Sequence, residues 1–175
     1  MKNPQDVPCG WQVQHLGDVV TKNELGGNYL NNRNRSPIAL VKMGNLGRGR
    51  ISLRQIAFIH DPNAVETKHF LGHGDLLFNT RNTLALVGKV AVWRAELSSA
   101  VYDSNILRLE FSPKFVHSTD YANYLFNSFY GLKVRRLQFH GHSNCLISSV
   151  RIKPRRSESC RERSASRIVV GTATN

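Results

Sequence analysis

GDLLFNTRNTLALVGKVAVW, residues 74–93, decides how the rest of the chain is read. Two apolar, β-type runs, LLFN and LVGKVAVW, flank the polar run Asn79-Thr80-Arg81-Asn82-Thr83. A tight hairpin turns on two residues such as Asn-Gly, so five polar residues around an arginine predict a longer loop held outward. The runs themselves are of the kind that fill a sheet.

Outward from this stretch, other short strands are expected. WQVQHLGDVV reads as a short strand with Trp11, Val13 and His15 on one side, followed by a brief helical turn. IALVKM (38–43), RISL and AFIH are strand candidates. NILRLEF alternates, with Leu107, Leu109 and Phe111 on one face and Arg108 and Glu110 on the other. Residues 21–36 are rich in Asn, Gly and Arg and read as a long exposed loop. A helix is expected from Ser118-Thr119-Asp120, capped by Ser118 or Thr119, with Tyr121, Tyr124, Leu125 and Phe129 as its apolar face. It ends at Gly131 or runs on through LKVRRLQ. Strands followed by a helix predict an α+β fold: a single mixed domain of short twisted antiparallel strands with a few helices, over residues 1–153. Trp11, Phe78, Trp93, Phe111, Tyr121, Tyr124 and Phe129 sit at periodic positions and read as core. From residue 154, PRRSESCRERSASRIVVGTATN loses apolar periodicity and reads as an irregular basic tail.

The 175 residues carry a formal charge of +12 and a pI near 10.2, which predicts attraction to polyanions, nucleic acid first. Residues 1–132 hold 14 Lys+Arg and 10 Asp+Glu, a net of +4, and residues 133–175 hold 10 against 2, a net of +8. Cys9, Cys145 and Cys160 are scattered without CxxC spacing, which points to a reducing compartment rather than a disulfide framework. With no apolar leader and no long apolar run, the expectation is a soluble cytoplasmic protein with no membrane partner.

Enzyme signatures are missing from the sequence: no GxxxxGK[ST] loop, no dinucleotide glycine pattern, no GxSxG, no HExxH. HGHSNC brings His140, His142 and Cys145 together, but HxHxxC is half of no standard zinc finger and reads better as a polar loop. No catalytic residue, cofactor or metal is therefore assigned. The basic and amide residues carry the functional reading. Arg48, Arg50 and Arg54 lie on or beside a glycine-rich turn. Asn79, Arg81 and Asn82 belong to the hairpin loop, with Lys89 behind it. Lys133, Arg135 and Arg136 follow the helix, with His140 and His142 beyond. Arg matches guanine O6/N7, Asn matches adenine N6/N7, and Lys pairs with phosphate, so these twelve are the candidate DNA-binding residues.

The order of landmarks resembles the target recognition domain of the specificity subunit of type I restriction–modification enzymes, from Gly10 to about Lys153. The resemblance rests on GWQVQHLGDVV, then IALVKMGNLGRGRIS with an "N…G.I" turn, then GDLLFNTRNTLALVGKVAVW against "GD.L…R…..VGK.A". NILRLEF, STDYANYLFNS and HSNCLISSVRIK follow. It implies a non-catalytic module that reads one half of a split target in double-stranded DNA, as part of a complex with methyltransferase (modification) and restriction subunits. S-adenosylmethionine, ATP and Mg would be bound by those partners. The family's proline-rich exit and long helix should follow Lys153. PRRSESCRERSASRIVV stands there instead, which fits a truncated or frameshifted end. The competing expectations are a nonspecific RNA- or ribosome-associated basic protein, driven by residues 154–175, and a non-functional gene fragment.

Overall fold

The computed structural model describes residues 12–80, 88–128 and 149–152; for 12, 13, 15 and 149–152 only the backbone is described. The chain divides into two compact units, one from Met1–Thr21 and Phe111–Asn175, the other Lys22–Glu110.

In the first unit β1 (Gln12–His15) is followed at once by the short helix α1 (Leu16–Val19), as the sequence suggests. β1 pairs antiparallel with β10 (Ser149–Ile152), Gln12 opposite Ile152 and His15 opposite Ser149. The second helix, α2, is Thr119–Asn127, and the Ser118 hydroxyl accepts from the Asp120 N–H at 3.2 Å, the expected N-cap. Its buried residues are Ala122, Asn123, Leu125 and Phe126, with the Phe126 ring 6.3 Å from that of Phe111. Tyr124 is 75% exposed, so the aromatic stripe read from the sequence is displaced around the helix. The Ser128 N–H closes on the Leu125 carbonyl and ends the helix before Gly131. Phe129 and Trp11 lie outside the described residues.

In the second unit two four-stranded sheets stack. One has the order β2-β9-β6-β7, from β2 (Val20–Leu25), β9 (Ile106–Phe111), β6 (Leu76–Asn79) and β7 (Val90–Val92). The other has the order β3-β5-β4-β8, from β3 (Asn31–Asn32), β5 (Ala57–Ile59), β4 (Ala39–Val41) and β8 (Ala100–Tyr102). β2 and β9 carry the chain across the boundary between the units. Residues 21–36 are thus not a plain loop, since they contribute two strands, and RISL contributes only a bridge between Leu46 and Ile51.

Packing explains the sequence pattern. Ala39 and Val41 of β4 join Ala100 and Tyr102 of β8 against Leu77, Ala91, Trp93 and Ile106. Leu40 and Val101 face the other way, into Ile38, Ala57 and Ile59, with Tyr29, Val65 and Phe70 closing that side. A strand buried on both faces shows no alternation, hence the unbroken apolar run at 38–41. β4 and β8 pair in parallel, a departure from the expected antiparallel plan that the isolated bridges Gly27–Asp103 and Gly49–Ala91 share.

The β6–β7 hairpin is antiparallel, Leu76 opposite Val92 and Phe78 opposite Val90. Its ladder extends through Asn79 N–H to the Lys89 carbonyl (2.9 Å) and Gly88 N–H to the Asn79 carbonyl (3.0 Å). The connection spans 80–87, longer than a two-residue turn, as the polar run implies.

Candidate nucleic-acid interface

From Gly26 to His60 the chain contains six Lys/Arg (Arg33, Arg35, Lys42, Arg48, Arg50, Arg54) and no Asp or Glu. The fold gathers part of this acid-free stretch at one end of the β3-β5-β4 sheet. Asn31 and Asn32 lie on β3, Lys42 leaves β4, and Arg54 and Gln55 enter β5. Leu40 lies opposite Ala57, so the register, continued, brings Lys42 level with Gln55. With Arg33, Gly44, Asn45 and Ala57 these residues line an open concavity of about 420 Å³.

A buried amide holds this end together. Asn45, 3% exposed, accepts from the Lys42 N–H at 2.9 Å and donates to the Ser52 carbonyl (2.9 Å) and the Arg54 carbonyl (3.2 Å). The Ser52 N–H returns to the Asn45 carbonyl at 2.8 Å. The exit of β4 and the entry of β5 are therefore tied through one side chain. Between them Gly49 adopts φ 87° and donates to the Val90 carbonyl at 2.8 Å, anchoring the 46–51 turn on β7. A side chain at that φ would be strained, which gives the "N…G.I" pattern of Asn45, Gly49 and Ile51 a structural reason.

The cationic side chains of this region face solvent. Arg33, Arg35, Lys42, Arg48, Arg50 and Arg54 are all exposed, and none forms an ion pair among the described residues. Lys42 Nζ donates to Asn31 Oδ1 at 3.2 Å, which leaves its charge uncompensated. The carboxylate lining the adjoining 160 Å³ cleft is Asp103, 9% exposed, whose carboxyl burial pushes above the ordinary aspartate range. A cluster of exposed cations and amides without acids concentrates positive potential on one concave surface.

Arg108 shows the contrast. It donates to Glu24 Oε2 (3.1 Å), Asp75 Oδ2 (3.4 Å) and the carbonyls of Phe70 and Lys68 (both 3.0 Å), and lies 5.5 Å over the Tyr102 ring. Burial pushes the Tyr102 phenol up to about 12. This arginine is consumed by the fold.

Of the twelve residues read from the sequence, Arg54 lines the concavity, and Arg48 and Arg50 are exposed on the adjoining turn. Lys89 is half-buried beside the hairpin ladder. Asn79 is a correction: it is 0% exposed, the last ladder residue of β6, and its side chain does not reach solvent. Arg81, Asn82, Lys133, Arg135, Arg136, His140 and His142 lie outside the described residues. Asn31, Asn32, Arg33, Lys42 and Gln55 were not singled out from the sequence. The acid-free run around them was the available signal.

No protein-family model matches the chain. A curated protein of Methanocaldococcus jannaschii named "Putative type I restriction enzyme MjaX specificity subunit" is 22% identical over 105 residues, 59% of this chain and 25% of that protein. The HsdS subunit from Thermoanaerobacter tengcongensis superposes with a TM-score of 0.54 at 15% identity, over 87% of this chain and 36% of that one. A chain from a structure of complex assembly in the type I restriction–modification system gives 0.53 at 16% identity, over 88% and 37%. The chain shares the fold of one part of a type I specificity subunit. The resemblance to a target recognition domain read from the sequence, and the α+β class, both stand. The chain spans about a quarter of the curated relative it matches and little more than a third of the two solved chains. Among the described residues no helix is long and apolar enough to cross a membrane.

Proposed function

We propose that this chain is a non-catalytic, sequence-specific DNA-reading module that recognises one half of a bipartite target within a type I restriction–modification complex. The observation that carries the reading is the acid-free basic concavity at the end of the β3-β5-β4 sheet. Its chemistry suits a duplex: Lys and Arg for phosphates, Arg, Asn and Gln for base edges. Methyltransferase and restriction subunits are the proposed protein partners, and S-adenosylmethionine, ATP and Mg belong to them in this reading.

The test is a binding selection from randomised duplex DNA with the full 175-residue chain at about 150 mM salt, where competition from nonspecific binding is meaningful. A short asymmetric motif should be enriched. Arg54→Ala should weaken binding to that motif and flatten the plot of log K against log salt by about one unit if Arg54 meets a phosphate. Equal retention of all duplexes and of RNA by the folded protein would refute the reading.

A further inference from the structure

Two non-glycine residues adopt positive φ among the described residues, Gln55 (56°) and Ala95 (59°). Gln55 is the third residue of the tight turn Leu53-Arg54-Gln55-Ile56, closed by the Ile56 N–H to the Leu53 carbonyl at 3.2 Å. That position favours Gly, or Asn, because a β-carbon is strained there. Glutamine has neither the missing Cβ nor the short amide that bonds its own backbone. Its presence is a local loss of stability that the fold does not require.

The side chain at this strained position is an exposed amide in the wall of the basic concavity. It makes no hydrogen bond to any described residue, so both amide donors and the carbonyl acceptor are available to a ligand. The turn beneath it is tied by side-chain hydrogen bonds. Asn45 fixes the carbonyls of Ser52 and Arg54, the residues on either side of Leu53, and Ser52 Oγ accepts from the Arg54 N–H at 3.3 Å. Lys42 is level with it and Arg54 precedes it, so a neutral amide stands between two cations of the kind that hold phosphates.

We infer that Gln55 is a specificity-determining residue of this concavity and reads an adenine through its side-chain amide. The inference rests on the DNA-reading proposal above. An amide donates to adenine N7 and accepts from adenine N6 in one planar pair, which no other base offers on its major-groove edge. Strain at a residue whose free amide lines the concavity supports a binding role; Ala95, at a similar φ but without a polar side chain, separates strain from chemistry.

The experiment sets Gln55→Gly and Gln55→Ala beside Ala95→Gly in the full chain, reading melting temperature and the enriched duplex motif for each. Both glycine variants should melt higher than the parent, by about 2–4 °C, the shift expected when roughly 1 kcal/mol of strain is relieved in a chain of this size. Gln55→Gly and Gln55→Ala should each lose preference for adenine at one motif position, about tenfold, while the other positions and the salt dependence are unchanged. Ala95→Gly should keep the parental motif. An unaltered motif in the folded Gln55→Ala protein overturns the inference and leaves the DNA reading intact. If the parent itself enriches no motif, both fall together. A loss spread evenly over every duplex overturns the base-reading role in favour of a backbone contact.

Discussion

Replacing Asn45 by alanine tests the claim that one buried amide assembles the concavity. The substitution removes three hydrogen bonds, from the Lys42 N–H and to the Ser52 and Arg54 carbonyls. A hydrogen bond of this kind contributes roughly 0.5–1.5 kcal/mol net, and more where the abandoned partner stays buried. Lys42 and Arg54 are exposed, so water can reach their backbone groups once the turn loosens; Ser52 is half-buried and recovers less. The expected loss is therefore about 2–4 kcal/mol, not the larger sum that three fully buried orphans would give. Asn45→Asp keeps the acceptor for Lys42 but turns a carboxylate oxygen toward two carbonyls, and should lose at least as much. Equilibrium urea unfolding measures both, with the slope m unchanged if the denatured states match. A loss below about 1 kcal/mol for the alanine variant would refute the clamp.

Two further outcomes follow from the second unit. His69 is buried, its Nδ1 bonded to the Tyr29 hydroxyl and its ring edge-on to Tyr29 and Tyr102. Burial holds its pKa below the ordinary histidine value, with Glu66 and Glu24 opposing and Lys68 and Arg108 reinforcing. The unfolded chain then takes up this proton first, near pH 6.5, so the stabilisation is complete above that pH and is lost as pH falls through the lower folded value. Thermal melts from pH 7.5 to 5 should show a steeper acid loss in the parent than in His69→Gln; parallel curves would contradict this. Arg108→Met keeps the stem but strands the Glu24 and Asp75 carboxylates and the Phe70 and Lys68 carbonyls, and should cost about 2–4 kcal/mol by urea unfolding. A neutral result would mean that solvent already compensates these groups.

What the sequence disclosed was what neighbouring residues decide. The β6 and β7 runs, the β1-to-α1 step and the Ser118 cap are all written in adjacent positions, and the structure has them. The alternation of β9 is not matched by alternating burial: Ile106 is fully buried, and Leu107 and Arg108 are both half-buried. β8 was missed because Ala100-Val101-Tyr102 is three residues buried on both faces, paired in parallel with a strand about sixty positions earlier. Nothing local marks it. The face of α2 was misjudged because the aromatic spacing outweighed Ala122 and Asn123, whose burial depends on what packs over them. Asn79 was taken into the loop because it opens a polar run, whereas the ladder runs one residue further than the apolar residues do.

The concavity follows the same division. Arg54 could be named from the glycine-rich turn beside it, but Asn31, Arg33, Lys42 and Gln55 come together only because β3, β4 and β5 pair with one particular register. That register is set by burial: a shift of one residue on β4 would exchange Leu40 with Ala39 and Val41 between the two clusters it fills. The apolar run at 38–41 therefore does two things at once. It builds the core, and by fixing the register it decides which cations and amides share the end of the sheet. Exposed residues placed on such strand ends stand outside the two clusters that set the register, while Asn45 and Gly49 keep the turns that carry them. Gln55 departs from the backbone preference of its own turn where those constraints meet, and there the chain's chemistry and its stability point in opposite directions.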